Sequence, residues 1–182
     1  MRTPPRFALA VASVLFPLAA AAQQPTGGPH DFDFEFGSWK AQLKRLVKPL
    51  SGSSEWVELT GTNVVRKVWD GRANLGELKV ANEKSRIEGM SLRLYNPGTR
   101  RWSVYWANAR NGELTTPMVG GFQGGRGEFY GPDTWEGKPI EARFIFTSLG
   151  PDSFRIEQAF SPDERKTWET NWIATFTRSA KP

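Results

Sequence analysis

The chain has 182 residues, which is the usual size of one domain. It contains no cysteine, so disulfides, thiolate metal sites and iron–sulfur clusters are excluded. Its formal net charge is +5 at pH 7, and acidic residues lie between the basic ones, which argues against a nucleic-acid partner.

The first 22 residues have the organisation of an export signal. Arg2 and Arg6 form a basic start, residues 7–18 are almost all apolar, and Ala20-Ala21-Ala22 fits the small-residue site that signal peptidase cleaves. The apolar run is shorter than the ~20 residues that a membrane-spanning helix needs. We therefore predict a signal peptide over residues 1–22, a periplasmic or secreted location, and no membrane contact once the peptide is cleaved.

Residues 23–30 are rich in Gln, Pro, Thr and Gly, which predicts a flexible leader before a folded domain at residues 31–180. A single helical turn is expected over residues 31–36.

Beyond residue 36, apolar and polar residues alternate in short runs separated by turn residues. In chain order, the predicted strands cover residues 39–47, 56–69, 76–80, 87–95, 101–108, 113–119, 122–130, 140–149, 153–160 and 168–178. The segment Asn96-Pro97-Gly98-Thr99 is a strong hairpin signal, because proline and glycine preset the backbone of a turn.

This series of strands predicts an all-β fold. Strands at intervals of roughly 8–12 residues are typical of a sandwich or a barrel. The short loops favour an up-and-down antiparallel β-barrel of about 8–10 strands, since closure removes exposed strand edges. Alternation along the strands assigns Trp102, Trp106, Trp168, Thr170 and Trp172 to inward faces.

The segment Phe34-Glu35-Phe36-Gly37-Ser38-Trp39 resembles the opening of a calycin, or lipocalin-like, barrel. In that group a Gly-x-Trp motif begins the first strand, and an arginine of the last strand packs over the tryptophan. Gly37 and Trp39 match the motif, and Arg178 is the candidate for the arginine. The chain also resembles a family of exported bacterial proteins of unknown function in three further segments, residues 126–131, 158–161 and 167–172. The resemblance implies a calycin-like fold and no established activity.

Gly37, Trp39 and Arg178 are interpreted as structural closure residues, because a guanidinium stacked on an indole gains cation–π attraction while it closes one end of a barrel. Some relatives of this barrel bind haem through a histidine on a late strand, but His30 is the only histidine of this chain and lies in the predicted leader. We therefore expect no haem, no other cofactor, no metal ion and no histidine-based nucleophile.

Two other patterns were candidates for chemistry. The glycine-rich run at residues 120–127 leads into a strand rather than a helix, so a tight turn explains it better than a phosphate-binding loop. Alternation places Glu128 on one face with Phe122, Arg126 and Tyr130, which makes it the one acid nominated for acid–base catalysis. A structural ion pair with Arg126 is the better interpretation.

The remaining candidate is the aromatic interior. The chain has 8 tryptophans, and the four predicted to point inward, Trp102, Trp106, Trp168 and Trp172, fit a filled core and a ligand pocket equally well. The residues nominated for ligand binding are Trp106, Asn108, Arg126, Glu128, Arg143, Gln158 and Trp172. The predicted function is a periplasmic binding protein for a small hydrophobic or aromatic ligand, without catalysis. Two alternatives stay open: a cyclase or isomerase that uses the barrel interior, and a solid-core scaffold or interaction module.

Overall fold

The computed structural model describes residues 27–179, which form a closed antiparallel barrel. The predicted signal peptide and residues 23–26 of the predicted leader lie outside the described residues. The strands are β1 (Gly37–Leu46), β2 (Trp56–Val68), β3 (Ala73–Ala81), β4 (Arg86–Asn96), β5 (Arg101–Asn108), β6 (Met118–Gln123), β7 (Arg126–Trp135), β8 (Lys138–Gly150), β9 (Ser153–Ser161) and β10 (Glu169–Arg178). Consecutive strands pair with each other, which confirms the predicted all-β, up-and-down barrel.

Pairing between β1 and β10 closes the barrel. Trp39 pairs with Arg178 and Arg45 pairs with Trp172, while the other edge of β1 pairs with β2. Each strand of the described part therefore has two neighbours, so the polar edge groups of its backbone are paired within the barrel. Residues that pair directly across antiparallel strands share a face, and these registers decide which side chains point inward.

Residues 27–36 cover one end of the barrel. The Trp102 indole Nε1 donates a hydrogen bond of 3.0 Å to the Gly28 carbonyl. A short 3-10 helix, Asp33–Glu35, follows and confirms the expected helical turn. Residues 27–30, the described part of the predicted leader, are thus hydrogen-bonded to the barrel. We call this end of the barrel the closed end.

Aromatic side chains fill the barrel at the closed end. Phe32 is fully buried, and its ring centroid lies 5.0 Å from that of Trp102 and 4.8 Å from that of Phe122, in edge-to-face contacts. Such pairs contribute about 0.5–1.5 kcal/mol each beyond the burial of their area. Further buried rings of the interior are those of Trp39, Phe129, Phe146, Phe154 and Phe176. This half of the interior is a packed core.

Two of the predicted turns lie inside strands. Gly120 and Gly121 belong to β6 and Gly131 belongs to β7, whereas Gly124-Gly125 forms the turn between these strands. A β-carbon on Gly120 would lie 1.8 Å from the Glu128 carbonyl oxygen, so this glycine permits a close approach of two strands. The boundaries predicted for the sixth and seventh strands are therefore wrong by several residues.

The two-residue turn decides which side of β7 points inward. It pairs Gln123 with Arg126 and Phe122 with Gly127. Phe122 therefore shares the inner face with Gly127, and Glu128 lies on the opposite face. The prediction that Phe122 shares a face with Arg126 and Glu128 is wrong for this reason.

A β-bulge at Asn171 separates two tryptophans that were predicted to share a face. β10 pairs Thr170 with one residue of β9 and Trp172 with the next residue along, Gln158. The extra residue between them inverts the alternation of faces. Trp172 points inward as predicted, whereas Thr170 lies on the outer face and Trp168 packs against side chains there. The inward placement predicted for Thr170 and Trp168 is wrong.

Candidate ligand cavity

The half of the barrel opposite the closed end is hollow. It contains a cavity of about 430 Å³, within the roughly 300–1,000 Å³ that is usual for small-molecule sites. Exposed residues near the end of β1 and the end of β5 line its opening, which we call the mouth. The interior is thus filled at the closed end and contains a cavity towards the mouth.

Apolar side chains form most of the cavity wall. Trp106 of β5 and Trp172 of β10 contribute to it, together with Phe144 and Phe146 of β8. The aliphatic part of the wall comprises Leu78, Ile87, Val104, Met118 and Ile156. A largely apolar wall with a small number of polar groups is the usual composition of a site for a small molecule.

Four of the nominated ligand-binding residues line this cavity: Trp106, Asn108, Gln158 and Trp172. The Gln158 amide and the Trp106 indole nitrogen have no hydrogen-bond partner within residues 27–179. The structure places the four residues on the cavity wall, and their role in binding stays a prediction.

Arg126, Glu128 and Arg143, the other nominated residues, lie on the outer face and away from the cavity. Their nomination as ligand contacts is therefore corrected, and for Arg126 and Glu128 the cause is the register that the Gly124-Gly125 turn imposes. Arg126 Nε donates to Glu128 Oε1 at 3.0 Å, and the Tyr130 hydroxyl donates to Glu128 Oε2 at 2.8 Å. The Tyr130 hydrogen bond, with help from Arg126, lowers the pKa of Glu128. Such a carboxylate is a poor general acid, which favours a structural ion pair.

A buried ion pair lies at the inner end of the cavity. Arg93 of β4 lines the cavity, and its Nη1 lies 2.9 Å from Glu35 Oε2, with the side chains 3% and 0% exposed respectively. The same nitrogen donates to Asn74 Oδ1 at 3.1 Å. Burial raises the pKa of the Glu35 carboxyl, and Arg93 opposes this effect. The Arg93 guanidinium therefore faces the cavity and is bound by Glu35, which belongs to the closed end.

Several buried polar atoms around this ion pair are unpaired. Glu35 Oε1, Asn74 Nδ2 and Arg93 Nε have no hydrogen-bond partner among the described residues. Buried polar atoms in proteins are nearly always hydrogen-bonded to protein, water or ligand. The Arg93 guanidinium also lies 4.7 Å from the ring centroid of Phe32, a cation–π contact that joins the ion pair to the aromatic core.

Two neutral polar side chains on the inner faces of β2 and β4 line the cavity together with Arg93. Asn63 of β2 is 5% exposed, and Ser91 precedes Arg93 by two positions on the same face of β4. Both line the cavity, and neither side chain has a hydrogen-bond partner within residues 27–179. They converge over Gly76, where a β-carbon would lie 2.6 Å from Ser91 Oγ and 3.8 Å from Asn63 Oδ1. We call Asn63, Ser91 and Arg93 the polar floor.

Charged side chains of both signs surround the mouth. Arg45 of β1, Arg110 after β5 and Asp133 of β7 all line the opening. Arg110 Nη2 donates to the Arg86 carbonyl at 3.2 Å. Because these groups are exposed, solvent screens them, and the mouth discriminates less by charge than the buried inner end does.

The predicted closing pair lies at the closed end, away from the cavity. The Arg178 guanidinium lies 4.1 Å from the ring centroid of Trp39, and its Nη1 donates to the Phe36 carbonyl at 3.1 Å. Gly37 has a φ of 118°, and a β-carbon there would lie 3.0 Å from Arg178 Nη1. The contact predicted between Trp39 and Arg178 is therefore present, and its contribution to stability stays a prediction.

The polar floor was not predicted from the sequence, although the residue pattern on one face of β4 indicates it. Ile87, Gly89, Ser91 and Arg93 share one face of β4. A charged residue in line with small and apolar residues on an inward face requires a buried partner. The sequence does not indicate that its partner Glu35 is buried. Glu35 precedes the first strand, so no alternating pattern assigns it to the interior.

Within residues 27–179, no group of three or more His, Cys, Asp or Glu side chains is placed to hold a metal ion. In the same part of the chain, no helix is long and apolar enough to cross a membrane.

No family model matches the chain, and neither does any curated protein. Among solved structures, the S-type phycobiliprotein lyase CPES from Guillardia theta is similar over 83% of this chain and 92% of that chain, with a TM-score of 0.57 and 12% sequence identity. A redesigned β-barrel is similar over 85% of this chain and 100% of that chain, with a TM-score of 0.47 and 9% identity. The likeness to the lyase and the closed barrel fit the predicted calycin-like fold. Membership of the family of exported bacterial proteins stays a prediction.

Proposed function

We propose that this protein is an exported binding protein that holds a small hydrophobic or aromatic molecule inside its barrel, without catalysis. The observation that carries the proposal is the cavity of about 430 Å³ with Trp106 and Trp172 in its wall. Aromatic side chains offer large, rigid apolar contact surfaces and, in tryptophan, one hydrogen-bond donor. The signal pattern over residues 1–22 supports a periplasmic or secreted location.

The shape of the interior favours binding over the two alternatives. A solid-core scaffold requires both halves of the barrel to be filled, and the cavity occupies one of them. A cyclase or isomerase requires an acid or base that reaches the substrate. Glu128, the nominated acid, lies on the outer face, Glu35 lies behind Arg93, and Asp133 is exposed at the mouth. Binding requires only the apolar wall and the inward polar groups.

Native mass spectrometry of the protein purified from its own export compartment tests this proposal. We expect a fraction of the protein to carry one small molecule, which is released when the protein is denatured. A mass equal to that of the polypeptide alone under every gentle condition would count against the proposal.

Substitutions of cavity residues should weaken ligand retention, whereas a substitution of a closing residue should lower stability. Trp106→Ala and Gln158→Leu each remove a contact within the cavity, and we expect about tenfold weaker ligand retention, which corresponds to about 1.4 kcal/mol. Arg178→Ala acts at the closed end, so it should lower the free energy of unfolding by about 1–2 kcal/mol and leave ligand retention unchanged. Parallel losses of binding and stability in all three variants would contradict this division.

A further inference from the structure

We infer that the ligand carries an uncharged hydrogen-bonding head, such as a carbonyl or amide group, which binds the polar floor formed by Asn63, Ser91 and Arg93. The inference rests on the proposed function and names the chemistry of the molecule that the cavity accepts. The head lies at the inner end, and the apolar body lies against the wall between the floor and the mouth.

Several polar groups at the inner end of the cavity have no hydrogen-bond partner among the described residues. Asn63 is 5% exposed and lines the cavity, and its amide has no hydrogen-bond partner within residues 27–179. Arg93 Nε is buried and unpaired among the same residues, and Ser91 adds a hydroxyl two positions away. Together they supply amide, guanidinium and hydroxyl donors as well as amide and hydroxyl acceptors. A ligand head that accepts a hydrogen bond satisfies groups that are costly to leave unpaired.

Gly76 of β3 allows the Ser91 hydroxyl to lie close to the backbone of that strand. A β-carbon there would lie 2.6 Å from Ser91 Oγ, so any other residue would push against the hydroxyl. The same position is 3.8 Å from Asn63 Oδ1. The glycine therefore brings the Ser91 hydroxyl and the Asn63 amide to the same place on the inner face, as is usual where a backbone allows another group to approach closely.

The charge balance at the inner end favours a neutral head. Among the buried side chains of the described residues, the charged ones are Arg93 and Glu35, which lie 2.9 Å apart. They carry one charge of each sign, so a ligand carboxylate would add a negative charge with no counter-charge. Burying an unpaired charge costs far more than burying a neutral polar group that is hydrogen-bonded. A carbonyl or amide head therefore fits this floor better than a carboxylate.

Three ligands with the same aromatic body test the inference: cinnamamide has a neutral polar head, cinnamate has a charged one, and propenylbenzene has none. Their affinities are measured by isothermal titration calorimetry near neutral pH. We expect cinnamamide to bind about tenfold more tightly than either of the others, which corresponds to one buried hydrogen bond. Cinnamate binding as tightly as cinnamamide would overturn the argument from charge, and equal affinity for all three would overturn the role of the polar floor.

Variants of the floor separate recognition of the head from general binding. Asn63→Leu and Ser91→Ala should each weaken cinnamamide binding by about tenfold while propenylbenzene binding stays unchanged. Thr62→Val, an exposed position on β2, is the matched control and should change neither affinity. Ser91→Ala removes a single oxygen, so it provides a folded variant if Asn63→Leu does not fold. Equal losses for both ligands would overturn the inference.

Failure of the inference and failure of the proposed function give different results. N-phenylnaphthylamine is a neutral apolar probe whose fluorescence rises in an apolar site. If wild type binds this probe but shows no preference for cinnamamide, the inference is overturned and the proposed function stands. If wild type binds neither the probe nor any of the three ligands, both are overturned.

Discussion

Replacing Glu35 by leucine is expected to lower the free energy of unfolding by about 3–5 kcal/mol, because the Arg93 guanidinium would stay buried without its counter-charge. The side chains of the pair are 0% and 3% exposed, and their charged atoms lie 2.9 Å apart. The measurement is urea denaturation followed by tryptophan fluorescence.

The double variant Glu35→Leu/Arg93→Met is the decisive comparison. A buried ion pair replaced as a unit by apolar residues of similar size often leaves stability unchanged, since the cost of desolvating both charges disappears. We expect the double variant to lie within about 1 kcal/mol of wild type, and Arg93→Met alone to lose about as much as Glu35→Leu. Losses that simply add in the double variant would show that the two side chains do not stabilise the fold as a pair.

Replacing Phe32 by alanine is expected to cost about 3–5 kcal/mol of unfolding free energy, because it removes a fully buried ring from the centre of the closed end. The Phe32 ring makes edge-to-face contacts with Trp102, Phe122 and Phe146, at centroid distances of 5.0, 4.8 and 5.2 Å. It also supports the Arg93 guanidinium at 4.7 Å. Thermal and urea denaturation measure the loss.

Phe32→Leu is the matched control for this prediction. Leucine keeps most of the apolar volume, so the expected loss falls to roughly 1–2 kcal/mol. If the leucine and alanine variants were equally stable, Phe32 would be a peripheral cover of the barrel rather than part of its core.

The barrel itself could be predicted from the sequence because the period of two in a strand is a local property. Trp102, Val104, Trp106 and Asn108 alternate with more polar neighbours, and the structure places all four on the inner face of β5. The closing contact of Trp39 and Arg178 could be predicted because the resemblance to calycin barrels links a Gly-x-Trp motif of the first strand to an arginine of the last. The first signal is local, whereas the second comes from that resemblance.

The errors arose where one residue changes the register of a whole strand. The turn at Gly124-Gly125 and the bulge at Asn171 each invert the alternation of faces, and neither has a sequence pattern that distinguishes it from its alternatives. For this reason Trp168 was assigned to the interior and Arg126 was nominated as a ligand contact. The ion pair of Glu35 and Arg93 joins residues far apart in sequence, so only the closed fold brings it together.

The central claim is that the hollow half of the barrel is the binding site, and titration with N-phenylnaphthylamine tests it most directly. Ile156 lines the cavity, so Ile156→Trp should fill it, whereas Thr147→Trp adds the same side chain to the outer face of β8. We expect wild type and Thr147→Trp to bind one equivalent of probe with enhanced fluorescence, and Ile156→Trp to bind about tenfold more weakly or not at all. No binding to wild type, or equal binding to Ile156→Trp, would contradict the claim.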